Sequence, residues 1–296
     1  MNTFATVPAN LIDVVLPEDG YPVSLAAGDT RDVLRGVCGD ASRDFPAALH
    51  IDPKDWPDAA RENDKHSTWA FNYLDRFTHQ GSSHECTCHS LSRTFEAARN
   101  RARGMVYGGP EAGKRLDASS QFGSVWVSPI SVYAEANPDQ WGGASIRRVL
   151  EIATRRGFLP DKIQPRDYGF KHTLHGTAGG TGSINQSAGP WTSVGRFPEG
   201  WKETAKHFRV IEVIFPETWE QIVCLVLHGY AVCVGRNGHA IPYTMWNPEQ
   251  QVMGYVDSYN LVRWDSLRTL KSAVGGAYTI ATVTLPDDWS RPAGDA

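Results

Sequence analysis

The chain has 296 residues, 41% of them apolar, with 29 basic against 33 acidic side chains and a formal net charge of −4. That length and apolar content fill one large or two small cores. The even charge, with no long run of either sign, argues against nucleic acid or an anionic membrane as the main partner.

No apolar run reaches the roughly 18 residues needed to span a bilayer. The first 20 residues lack the basic start and apolar block of a secretory signal. Residues 1–47 carry little periodicity and several turn formers (Pro8, Pro17, Gly20, Gly28, Gly36, Gly39), so they are expected to form an N-terminal arm, either a propeptide or a grip for an assembly partner. Five cysteines (Cys38, Cys86, Cys88, Cys224, Cys233) are odd in number and widely spread, unlike a disulfide scaffold, which suits a reducing compartment such as the cytoplasm.

From Cys88 to Gly104, Leu91, Phe95 and Ala98 fall at helical spacing with basic residues on the other face, so a helix is expected with Cys86 at its start. A second helix is predicted from about Ser145 to Arg156, burying Ile146, Val149, Leu150 and Ala153 and closing on Gly157. Residues 172–198 turn rich in Gly, Ser and Thr and read as a long surface loop. Beyond them come a short helix (Trp201 to His207), a strand (Val210 to Phe215) and a helix opened by Thr218 and Gln221 and closed near Gly229. Four more strands follow: Tyr230 to Val234, His239 to Trp246, Val252 to Tyr259 and Ala277 to Leu285. A helical front half and a β-rich back half define an α+β arrangement.

Two motif-like stretches carry little weight. His84, Cys86, Cys88 and His89 crowd six positions, but Cys-x-Cys-His matches neither a finger nor a ribbon, and no metal is expected. Gly108 to Lys114 imitates a phosphate loop until Arg115 stands where magnesium requires Ser or Thr, so it reads as a surface turn.

The chemistry lies in four residues. A helix N-terminus favours the thiolate of a cysteine placed there, as Cys86 is. Gln80, six residues earlier across a Gly-Ser-Ser turn, is placed to join the Cys86 amide around an oxyanion. His239 opens one strand and Asp257 ends the next, so a hairpin would set a carboxylate beside the imidazole.

These residues resemble the papain-like cysteine peptidases, as motifs in order over residues 48–285. Gln80-Gly81-Ser82 with Cys86 resembles the family's Gln-Gly-Ser and nucleophile at the same spacing. Ser128-Pro129 with Val132 resembles the segment leading toward the cleft, and Gly142-Gly143 the paired glycines whose backbone binds an extended substrate. His239-Ala240 resembles the start of the histidine strand, and Asp257-Ser258-Tyr259 the Asn-Ser-Trp that supplies the third catalytic residue. The chain departs from the pattern at Thr87, in place of an aromatic residue, at Ser83, in place of a disulfide cysteine, and at Glu85, a carboxylate directly before the nucleophile. His239 and Asp257 follow Cys86 by 153 and 171 residues, beyond the usual 130 to 150, and the Gly-rich stretch accounts for the excess.

The resemblance implies a two-lobed papain-like fold, a helical lobe over about 80–165 and a β-barrel-like lobe over about 208–285, with a cleft between them and a tail over 286–296. It implies catalytic Cys86, His239, Asp257 and Gln80, substrate-binding Gly142 and Gly143, a peptide or protein substrate and no cofactor. The alternative expectation is a structural or binding component of a larger assembly, a virion included, that keeps the scaffold with little or no hydrolysis.

Overall fold

The computed structural model describes residues 6–13, 30–74, 77–80, 85–102, 127–136, 143–160, 173–176, 182–185, 194, 197, 199–236, 238–258 and 261–284. The helices are α1 (Arg31–Cys38), α2 (Trp56–His66), α3 (Cys86–Ala102), α4 (Pro129–Ala136), α5 (Ile146–Arg155), α6 (Trp201–Lys206), α7 (Trp219–Leu227) and α8 (Leu267–Ser272). The strands are β1 (Ser42–Asp44), β2 (Phe77–His79), β3 (Thr173–Gly176), β4 (Gly182–Asn185), β5 (Val210–Phe215), β6 (Val232–Arg236), β7 (His239–Asn247), β8 (Val252–Val256), β9 (Val262–Ser266) and β10 (Tyr278–Val283).

The fold is α+β. Seven strands form one sheet in the order β1-β5-β10-β6-β7-β8-β9, with β1 parallel to β5 and every other pairing antiparallel. The sheet stays open, so the barrel-like closure expected for the back half does not form. The reason lies in strand alternation. Val232 and Val234 enter one core with α2 and α7, while Cys233 between them enters a second core with α1, α3 and α5. Neighbouring β5 repeats this, with Ile214 in the first core and Val213 and Phe215 in the second. A sheet covered by helices on both faces gains nothing by curling on itself.

The helix boundaries follow their caps. Ser145 Oγ accepts from the Arg148 amide at 3.2 Å to open α5, and Thr218 Oγ1 from the Gln221 amide at 3.3 Å to open α7. Gly157 (φ 97°) ends the turn after α5, and Gly229 (φ 75°) the turn after α7, both in the left-handed region that glycine tolerates best.

Helix α3 differs from its expected form. Every residue from Cys86 to Asn100 is buried, including Arg93 and Arg99, which the spacing had assigned to an outer face. The helix is enclosed by β7 and β10 on the sheet, by α4 and α5, and by the short helical segment Ala70–Tyr73. Its polar side chains are held by hydrogen bonds to the surrounding backbone. Arg93 Nη1 donates to the carbonyls of Val256 and Asp257, Asn100 Nδ2 donates to the Tyr73 carbonyl, and Glu96 accepts from the Val127 amide. Buried polar groups are tolerated when bonded in this way.

The described parts of residues 1–47 are built into the domain. Helix α1 buries Leu34 and Cys38 in the core shared with α5, and β1 adds a parallel edge strand to β5. Ile12 bridges to Trp264 beside the opposite edge, β9. The Gly-rich stretch contributes β3 and β4, which join β2 in a separate three-stranded sheet just ahead of Gln80.

Candidate active site

Cys86 is the first residue of α3 and is fully buried. Burial raises its thiol above the ordinary value, and hydrogen bonds from the Ala240 amide, the Thr87 hydroxyl and the first amides of α3 pull it back toward the thiolate. The Thr87 hydroxyl lies 4.0 Å from the sulfur. Cys88 stands well above the ordinary value because it is buried and lies near the Glu85 carboxylate. Glu85 is itself fully buried and lies 4.0 Å from the His89 ring one turn along the helix. The two cysteines are thus distinguished by position, with the amide donors acting on Cys86.

Helix α3 packs against β7, and β7 opens with His239-Ala240. Strands β7 and β8 pair antiparallel, so the start of β7 and the end of β8 lie at the same end of the hairpin. There Ser258 Oγ sits 3.3 Å from His239 Nε2. The Gln80 amide donates to the Ser258 carbonyl at 3.0 Å, and Gln80 is 97% buried. His239, Ser258 and Gln80 are therefore joined by direct hydrogen bonds, and α3, which begins at Cys86, packs against β7, which begins at His239.

The carboxylate of Asp257, one residue past β8, is also fully buried. Its Oδ1 accepts from the Leu261 amide at 2.9 Å and its Oδ2 from Arg263 Nε at 2.5 Å. Strand geometry accounts for this. Arg263 is the register partner of Tyr255, and Asp257, two residues beyond Tyr255, faces the same side. Ser258 turns the other way, toward His239. The Arg93 bonds to the Val256 and Asp257 carbonyls, at 2.7 and 2.6 Å, tie the same corner to α3.

Gly143 is exposed, two residues ahead of the Ser145 cap, and Gly142 lies outside the described residues. So do the turn at 81–84 and Tyr259. All five cysteines are free and buried. Among the described residues no group of three or more His, Cys, Asp or Glu is placed to hold a metal, and no helix is long and apolar enough to cross a membrane. Two contributors escaped the sequence reading. In the sequence Ser258 stands only as the middle residue of a motif, and nothing local distinguishes the buried Arg93 from Arg101.

Comparison with protein-family models gives no match, and neither does comparison with the curated proteins. Among solved structures the chain is similar to xylellain, a cysteine protease from Xylella fastidiosa, at 12% identity over 71% of this chain and 83% of that one, with a TM-score of 0.48. It is similar also to digestive procathepsin L 3 of the Tenebrio molitor larval midgut, at 9% identity over 85% and 78%, with a TM-score of 0.49.

Proposed function

We propose that the chain is a papain-like cysteine peptidase. The observation that carries this reading is the packing of α3, a buried helix that begins at Cys86, against β7, the strand that opens with His239, whose ring meets Ser258 in the corner held by Gln80. Burial keeps the Cys86 thiol protonated at neutral pH, so His239 takes the proton as the sulfur attacks the peptide carbonyl carbon. A carbon–sulfur bond forms and the carbonyl π pair moves onto oxygen. Gln80 and the Cys86 amide stabilise that oxyanion.

Collapse of the tetrahedral intermediate breaks the carbon–nitrogen bond, and the imidazolium of His239 delivers its proton to the leaving amine. Water then attacks the thioester, His239 accepts the water proton, and the departing Cys86 sulfur recovers it. The Asp257-Ser258 corner supplies the group that holds the ring, and the Gly143 backbone is offered as a contact for an extended substrate.

The test is a thiol-directed epoxide combined with a fluorogenic peptide mixture. Wild-type protein should be labelled at Cys86 and should cleave peptide, and C86A should do neither while retaining its melting temperature. A wild-type protein that neither labels at neutral pH nor cleaves any peptide overturns the reading.

A further inference from the structure

We infer that Ser258 is the positioning residue for His239, its hydroxyl accepting from the ring Nε2–H, and that the Asp257 carboxylate instead braces the turn that presents Ser258. The inference rests on the peptidase reading for its catalytic meaning but not for its geometry. Ser258 Oγ lies 3.3 Å from Nε2, and Ser258 is buried, with its carbonyl held by the Gln80 amide. Both carboxylate oxygens of Asp257 are engaged elsewhere, one by the Leu261 amide and one by Arg263. The Asp257 amide also donates to the Leu261 carbonyl at 3.0 Å, so residues 257 and 261 close the turn from both sides.

Arg93 completes the brace from beneath. Its Nη1 holds the Val256 and Asp257 carbonyls and leaves that backbone little freedom to rotate Asp257 toward the ring. When the ring is charged Nε2 can only donate, so the hydroxyl must then accept from it and holds the imidazolium in place. The neutral hydroxyl stabilises the imidazolium less than a carboxylate would, which keeps His239 a ready proton donor to the leaving amine.

The experiment is a nitrogen-15 histidine NMR titration of the full chain, with the His239 signals assigned by their loss in H239N. S258A should lower the His239 titration midpoint by about one pH unit, because a bond stronger to the charged ring is lost. S258T, which keeps the hydroxyl, should restore the midpoint. Should S258A fail to fold, S258C supplies the same test with a weak acceptor in place of the hydroxyl.

An S258A ring with the wild-type midpoint overturns the inference. So does an S258T ring that behaves like S258A, since that would mark a packing effect and not the hydroxyl. The ring signals do not depend on turnover. A wild type without peptidase activity whose ring still responds to S258A refutes only the peptidase reading, whereas an active enzyme with an indifferent ring refutes only the role of Ser258.

Discussion

Arg93 sits two turns along the helix that begins at Cys86 and places its Nη1 2.6 Å from the backbone carbonyl of Asp257. A second bond, 2.7 Å long, reaches the carbonyl of Val256. One buried guanidinium thus couples the helix that begins at Cys86 to the corner that meets the His239 imidazole. R93M removes both charge-assisted bonds and leaves two carbonyls without their donor. It should cost about 3–5 kcal/mol in urea unfolding and lower the rate of Cys86 alkylation. R93K should lose less, because it keeps a positive charge near those oxygens. Full stability in R93M would show that the carbonyls find other partners.

Asp265 predicts how stability depends on pH. Its carboxyl is fully buried on β9 beside Arg236, at 3.0 Å, and Tyr243, at 2.7 Å, and burial pushes its pKa up to about 6, above the ordinary 3.8, with Arg236 opposing the shift. The folded state therefore holds the proton more tightly than the unfolded chain does between those values. Ionising Asp265 as pH rises through this window lowers stability, and acidification restores it. Relative to D265N, which cannot titrate, wild type should gain on the order of 2 kcal/mol between pH 6.5 and pH 4. Paired denaturant melts across that range check the sign, and a flat difference would refute the assignment.

Gln250 acts as a clasp for the N-terminal segment. Its Oε1 accepts from the Val7 amide at 2.6 Å and its Nε2 donates to the Val7 carbonyl at 3.1 Å, as a neighbouring strand would. Q250A should raise amide hydrogen exchange over residues 7–13 by roughly tenfold. The bonds of Asp13 to Ser266 and Thr269 lie beyond the clasp and should keep β9 protected.

Gly157 is tightly constrained by its surroundings. At φ 97° a Cβ would collide with the carbonyl of Ala205 and would lie 2.7 Å from that of Phe208. Both are backbone atoms of the α6 segment, which cannot yield as a side chain tip would. G157A should lose about 3 kcal/mol or more, read as a fall in melting temperature, while a nearby G200A has open space around its Cβ and should lose less despite its own positive φ.

Much of this molecule was legible in its sequence. Local signals were sufficient where the physics is local: the caps at Ser145 and Thr218, the stops at Gly157 and Gly229, and the strand Val210–Phe215 all stand as patterning and turn chemistry require. The order of Gln80, Cys86, His239 and Asp257 suggests a thiol site, because a nucleophile, a base and their supports need particular residue types, and the peptidase reading proposed above rests in part on that order. Strand β9, helix α8 and helix α4 were missed, since short mixed segments such as Val262–Ser266 take their form from the neighbour they pair with and not from their own periodicity.

Tertiary structure alone decided the rest. Arg93 and Arg99 read as solvent-facing because a helix pattern cannot disclose that a sheet, two helices and a loop will close around every side, nor that backbone carbonyls will be waiting there. Asp257 and Ser258 are adjacent letters, yet one meets Arg263 and the other His239. That division follows from the register of β8 against β9 and from the strand's alternation, which exist only once the sheet has formed. Residue types announce the chemistry a chain can perform, whereas the partner each side chain finds is set by long-range pairing that no local stretch encodes.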